Sequence, residues 1–338
     1  MNYAVIGTGY WGSNHARVGA ELLDEGAIDS LVFCDADEDR VSEVASQYDV
    51  EYVTESAELV SGDIDAATIA TPSPTHRDIA VPLLEAGVDL LVEKPLALDS
   101  EDAWEIVETA KAHDRVLAVG HIFRHHPALS NLKSRIDRGE LGDIKYLHTN
   151  RYSFRAPRRT AGTLYSLAVH DIDISNYLLE STPDRMYCQL DSNLREEIDE
   201  TATVVLEYDG ATAVLNESWQ VPVFGKRRDL TVVGSERAAY VDYLEDNVVE
   251  IYDSKVIEDE GSLTARENGR QVYEVENREP LRAEVVDFLD AVNERSAPRA
   301  PGNVGAATVE LLQQAIIADE TNQVVSIDPT DLGYSWSR

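Results

Sequence analysis

Asn2-Tyr3-Ala4-Val5-Ile6-Gly7-Thr8-Gly9-Tyr10-Trp11-Gly12 is the stretch that decides the fold. An apolar run of strand length passes directly into GxGxxG and then into a helical pattern. The first glycine permits a tight turn, the second lets the backbone approach a pyrophosphate, and the third lets helix and strand pack closely, while the helix N-terminus holds the anion. Working outward, residues 31–34, 50–53, 66–71, 90–93 and 116–120 read as further strands, with amphipathic segments between most of them. That alternation predicts a parallel, doubly wound sheet. Helices are predicted over 101–113, capped by Asp99 or Ser100, and over 127–138, opened by Pro127.

After Gly142 the pattern changes to long alternating runs at 144–152, 202–208, 211–219, 229–233, 238–242 and 248–252, with Asp209-Gly210 at the tip of a hairpin. Helices are expected over 164–179, 281–292 and 304–317, and the polar stretch 258–269 reads as a loop. The expected architecture is an α/β Rossmann domain over 1–120, followed by an α+β domain over 121–338 with an open, mostly antiparallel sheet.

The 338 residues suffice for two domains, each with its own core. The formal charge is −34, with 23 Arg against 6 Lys, so nucleic acid is not an expected partner. So large an acidic excess predicts a protein adapted to high salt, where about 1 M salt shortens the Debye length to roughly 3 Å; an ordinary acidic surface is the alternative. Cys34 and Cys188 form neither a disulfide framework nor a zinc ribbon. With no basic leader and no apolar run of membrane length, a cytoplasmic protein without a membrane partner is expected. From Arg115 to His170 the balance is instead +7, and 144–170 contains no acid. That gap suggests a patch for an anionic ligand, or a face from which packing excludes acids.

Asp35 ends the second predicted strand, where a carboxylate would hydrogen-bond the adenosine ribose and repel a 2′-phosphate. NAD is therefore expected over NADP, with Arg40 keeping the second open. Asp35 could also be a solvated acid among Asp37, Glu38 and Asp39. In an open parallel sheet the ligand sits beyond the strand ends, so Thr71, Pro72 and His76, together with Glu93-Lys94-Pro95, point at the same crevice as Gly7, Gly9, Tyr10, Trp11 and Gly12. There is no GxxxxGK loop, no Tyr-x-x-x-Lys pair, no GxSxG elbow and no zinc-spaced cluster, and no metal is expected.

Taken together, GTGYWG at 7–12, ATPSPTH at 70–76, EKP at 93–95, GHIFRHHPA at 120–128 and VHDID at 169–173 resemble the Gfo/Idh/MocA oxidoreductases, which include glucose-fructose oxidoreductase and inositol dehydrogenase. The resemblance implies an NAD(P)-binding Rossmann domain and a C-terminal domain that forms the substrate pocket and the contact of a homodimer or homotetramer. It makes Lys94 the active-site lysine and His170 the catalytic histidine. Members commonly carry an aspartate four residues before that histidine, where this chain has Ser166. His170, with a reference pKa near 6.5, would take the hydroxyl proton, and the Lys94 cation would stabilise the developing alkoxide.

The opening of residues 9–18 and the GHIFRHHPA segment resemble most the nucleotide-sugar branch, whose members oxidise C3 of UDP-N-acetylglucosamine or UDP-N-acetylglucuronate. A nucleotide-sugar would meet Lys94, Arg124, Arg155, Arg158, Arg159, Asp173 and His170, with Arg155, Arg158 and Arg159 gripping the diphosphate. A simple sugar or polyol substrate, an NAD-dependent glycoside hydrolase and a non-catalytic regulator remain open.

Overall fold

The computed structural model describes residues 1–158, 161–196, 198–223, 225–245, 247–259, 261–328 and 332. The first elements are β1 (Asn2–Ile6), α1 (Gly12–Asp24), β2 (Ser30–Cys34), α2 (Glu38–Tyr48), β3 (Glu51–Val53), α3 (Ser56–Val60), β4 (Ala66–Ile69), α4 (His76–Glu85), β5 (Asp89–Val92), α5 (Ser100–Ala112) and β6 (Leu117–Val119). There follow α6 (Pro127–Asp137), β7 (Ile144–Tyr152), α7 (Val169–Leu179), β8 (Arg185–Asp191), β9 (Thr201–Tyr208), β10 (Ala211–Ser218), β11 (Arg227–Gly234) and β12 (Ala238–Asp242). The chain closes with β13 (Val248–Asp259), β14 (Ser262–Glu274), α8 (Pro280–Glu294), α9 (Gly302–Thr321) and β15 (Val325–Ser326). Two compact units result, Met1–Ile122 with Glu279–Glu310, and Phe123–Arg278 with Leu311–Arg338.

In the first unit six parallel strands lie in the order β3-β2-β1-β4-β5-β6. Strand periodicity splits β1 between two cores. Tyr3 and Val5 face Ala16, Val18 and Leu22 of α1, and Ala4 and Ile6 face the side covered by α4, α5 and the start of α9. Burial on both faces is why these strands are continuous apolar runs rather than alternating ones. Residues 281–292, expected in the second domain, differ from that expectation. Leu281, Val285 and Phe288 form an apolar stripe at helical spacing, and α8 uses it to complete the Tyr3 and Val5 face. The reversal of strand order falls between β1 and β4, which opens a crevice beyond their carboxyl ends.

The second unit contains nine strands in the order β14-β13-β12-β11-β7-β10-β9-β8-β15, antiparallel except for β7 with β10. β9 and β10 alternate buried and half-exposed residues and are joined by the two-residue Asp209-Gly210 loop, with Gly210 at φ +84°. The stretch 258–269 is not a loop: its described residues belong to the β13–β14 hairpin, whose register runs from Val248↔Glu274 to Asp259↔Ser262. Almost every β14 residue is exposed, so backbone pairing supports the strand without an apolar alternation to announce it.

Candidate active site

The glycine turn is shaped as a dinucleotide seat. Gly7 adopts φ +90°, and a Cβ there would lie 2.8 Å from the Ala70 carbonyl carbon and the Thr71 nitrogen. A Cβ on Gly12 would lie 1.8 Å from the Gly7 oxygen, whereas one on Gly9 would meet nothing within 4 Å among the described residues. Gly7 and Gly12 thus close the turn, and Gly9 leaves the backbone open to a ligand. Around it lies a cavity of about 420 Å³ whose lining includes Gly7, Gly9, Tyr10, Asp35, Thr71 and Pro72. Trp11 is not among the lining residues and stacks on Tyr10 at 6.2 Å.

Asp35 is set by its surroundings. Its Oδ2 accepts from the Thr8 N–H at 2.7 Å and from the Thr8 hydroxyl at 3.0 Å, and its Oδ1 accepts from the Asp37 N–H at 3.0 Å. Oδ1 retains a second acceptor direction for a ribose hydroxyl. Arg40 donates to Asp35 at 3.3 Å and to Asp37 at 2.5 Å, so its charge is answered by two carboxylates rather than kept for a 2′-phosphate. The donors, the carboxylate and the open glycine fit NAD.

His76 and Glu93, expected at the cofactor, brace the loops beside the cavity. The fully buried His76 ring meets the carbonyls of Thr71, Pro95 and Leu96 at 3.0, 3.1 and 3.2 Å, which ties the β4 loop to the β5 turn. Burial lowers its pKa, opposed by those carbonyls. Glu93 Oε1 pairs with His15 Nε2 at 2.9 Å, and Oε2 accepts from the Lys94 N–H at 3.2 Å. A Cβ on Gly120 would come within 3.0 Å of that same Oε2, so glycine makes room for it. Lys94, partly exposed, follows at a cis Lys94-Pro95 bond.

In the second unit, His170 stands in the first turn of α7, directly after a π-helical segment over Leu164–Ala168 that contains Ser166. Such segments recur at functional sites. The Phe123 ring lies edge-on to His170 at 5.0 Å and to Tyr243 at 5.0 Å. The Arg151 guanidinium lies 4.1 Å over Phe123 and forks onto Asp171 at 2.7 and 2.9 Å, with both side chains at most 2% exposed. Strand register aligns Glu217 of β10, Arg151 of β7 and Arg228 of β11 side by side. Burial, then the neighbouring Asp171, pushes the Glu217 carboxyl well above its ordinary range, opposed by Arg151 and Arg228, so Glu217 can donate as the neutral acid.

Arg124 and Asp173, expected to meet substrate, form a buried pair. Arg124 Nε reaches Asp173 at 3.0 and 3.1 Å and Nη2 reaches it at 2.6 Å, each side chain 2% exposed. Two charges of the +7 stretch are thereby answered, Arg124 by Asp173 and Arg151 by Asp171, acids that lie just past its end. Arg155 and Arg158 remain exposed, Arg155 over Trp219 at 5.6 Å, and Arg159 lies outside the described residues. Glu217, Arg228 and Tyr243 carried no motif, Asp171 lay within VHDID without a role of its own, and Arg151 stood out only as part of the basic stretch. The available signal was a charged residue at an inward position of an alternating strand, such as Glu217 in AVLNES.

Residues 1–121 match the oxidoreductase family with an NAD-binding Rossmann fold, and residues 129–240 match the GFO/IDH/MocA C-terminal domain. The chain belongs to the Gfo/Idh/MocA family. As members of this family do, it binds NAD and is an oxidoreductase. The chain is 27% identical to UDP-N-acetylglucosamine 3-dehydrogenase of Acidithiobacillus ferrooxidans, over 95% of this chain and 97% of that one. A solved structure of that enzyme matches with a TM-score of 0.81 at 26% identity, covering 95% and 98% of the two chains. The NAD(+)-dependent scyllo-inositol 2-dehydrogenase of Bacillus subtilis is 30% identical over 75% of this chain and 77% of its own. Levoglucosan dehydrogenase, solved with NADH and levoglucosan, shares the Gfo/Idh/MocA fold at a TM-score of 0.84 and 18% identity, covering 97% and 99% of the chains.

Proposed function

We propose that this Gfo/Idh/MocA protein is an NAD-dependent dehydrogenase that oxidises a secondary hydroxyl of a sugar, at C3 of a UDP-sugar. The near full-length likeness to UDP-N-acetylglucosamine 3-dehydrogenase carries this reading. Oxidising a carbinol to a ketone removes a hydride from carbon and a proton from oxygen. Bound NAD supplies the hydride acceptor. The His170 imidazole receives the hydroxyl proton, and the Lys94 ammonium stabilises the negative charge developing on that oxygen. Arg155 and Arg158, exposed and in a stretch without acids, are the candidates to meet a diphosphate.

A second reading, oxidation of a free polyol, is favoured by the 30% identity to the inositol enzyme. The test is to incubate the protein with NAD and, separately, UDP-N-acetylglucosamine, UDP-N-acetylglucuronate, inositols, glucose and aryl glycosides. Reduced nicotinamide formed only with a UDP-sugar supports the first reading. Its formation only with a polyol supports the second, and aglycone released without reduced nicotinamide would overturn both in favour of a hydrolase.

A further inference from the structure

Glu93 after β5, His15 on α1 and Glu284 on α8 form a buried junction, at 6%, 1% and 2% exposure, and offer one polar atom each within 4.8 Å of the others. Among the described residues, both Glu284 oxygens and His15 Nδ1 are buried without a hydrogen-bond partner. The hydrogen-bond inventory of these three side chains is short of donors. His15 Nε2–H serves Glu93, and the Glu284 oxygens and Nδ1 then stand as further acceptors. One proton on Glu284 supplies the missing donor and removes the repulsion between two carboxylates in a dry interior.

We propose that Glu284 is a positioning residue for Lys94: from α8 it secures the Glu93 carboxylate that receives the Lys94 backbone N–H, and so fixes the turn that presents the ammonium. This rests on the role of Lys94 in the proposed reaction. Burial, then Glu93 and Asp287, pushes the Glu284 carboxyl well above its ordinary range, as the junction requires. The titratable groups facing it are Glu93, Asp287 and, by their placement, His15 and the β1 residue Tyr3. Tyr3 is fully buried with its hydroxyl on Thr68. Glu284 lies in an element that a motif scan would pass over, because α8 reads as an ordinary amphipathic helix.

The test compares wild type, Glu284→Gln and Glu284→Leu. Gln keeps a neutral donor of the same shape and should retain kcat within about twofold, whereas Leu should lower kcat roughly tenfold or more with NAD affinity nearly unchanged, because the turn and not the cofactor seat is loosened. Equal kcat in Leu and wild type, or equal losses in Gln and Leu, would overturn the proposal. Melting across pH is the second readout and needs no substrate. Because the folded-state pKa of Glu284 is raised, its unfavourable contribution grows as pH rises above 4.5, so the stability of E284Q relative to wild type should increase with pH. A constant difference overturns the protonated junction even if no sugar is oxidised, an outcome that would separately end the functional reading. Stabilisation of wild type but not E284Q by added Mn²⁺ or Zn²⁺ would replace the junction with a metal site.

Discussion

Replacing Asp173 with Ala should destabilise the second unit severely. The change removes the carboxylate from an Arg124 guanidinium whose side chain is 2% exposed and which reaches it from Nε and Nη2 at 2.6–3.1 Å. Breaking a buried pair by deleting one partner costs about 3–5 kcal/mol, since the remaining charge is left in a medium that solvates it poorly. For a unit of this size about 1 kcal/mol corresponds to roughly 2–4 °C, so the melting temperature of the unit should fall by about 6–20 °C. Calorimetry at fixed salt and pH measures this. The double variant Arg124→Met/Asp173→Leu, which replaces the pair by apolar residues of similar volume, should recover most of the loss. A fall of less than about 2 °C in the single variant would refute the reasoning. So would a stable double variant whose KM for substrate has risen tenfold or more, since the pair would then touch substrate as the sequence suggested.

Three further outcomes are expected. Asp35→Ser removes the carboxylate that a 2′-phosphate would meet and leaves Arg40 paired with Asp37, so the ratio of kcat/KM for NAD over NADP should fall at least about tenfold, equivalent to about 1.4 kcal/mol; an unchanged ratio would place cofactor choice elsewhere. Glu217→Gln tests the raised carboxyl in the second unit. Below 4.5 both folded and unfolded chains hold that proton; above it the unfolded chain releases it first and the wild type loses stability, so the variant should flatten the decline of melting temperature with pH, and parallel curves would contradict this. For the acidic excess, the proposal of salt adaptation predicts a melting temperature that climbs through a titration from low salt to molar KCl; a flat profile would end it.

Local residue order disclosed the first unit almost completely, because a GxGxxG turn after an apolar strand has few other uses and buried parallel strands are continuous apolar runs. Its surprise, α8 and the start of α9, came from a long return of the chain: Leu281, Val285 and Phe288 declare a helix, but not which sheet they cover. The second unit was legible wherever one strand face is buried, as in β9 and β10. It was not in β14, where exposure removes the alternation, or in β8, whose alternation is short and irregular. Site residues followed the same rule: Gly7, Asp35 and Thr71, which local spacing brings to one turn, line the cavity, whereas the bonds of Glu93 and His76 to distant groups, and the pairing of Arg124 with Asp173 across 49 positions, had no local signal. Pairings between distant side chains are set by tertiary packing, which local spacing does not encode.

The central claim is that Lys94 and His170 serve removal of a hydride from a sugar carbon. It is tested most directly with UDP-N-acetylglucosamine carrying deuterium at C3, NAD, and mass spectrometry of the nicotinamide product. The predicted result is deuterated reduced nicotinamide from the wild type, with its formation cut at least about a hundredfold in Lys94→Ala and in His170→Ala while NAD still binds both. Undeuterated product, or a Lys94→Ala variant that transfers the label at the wild-type rate, would contradict it.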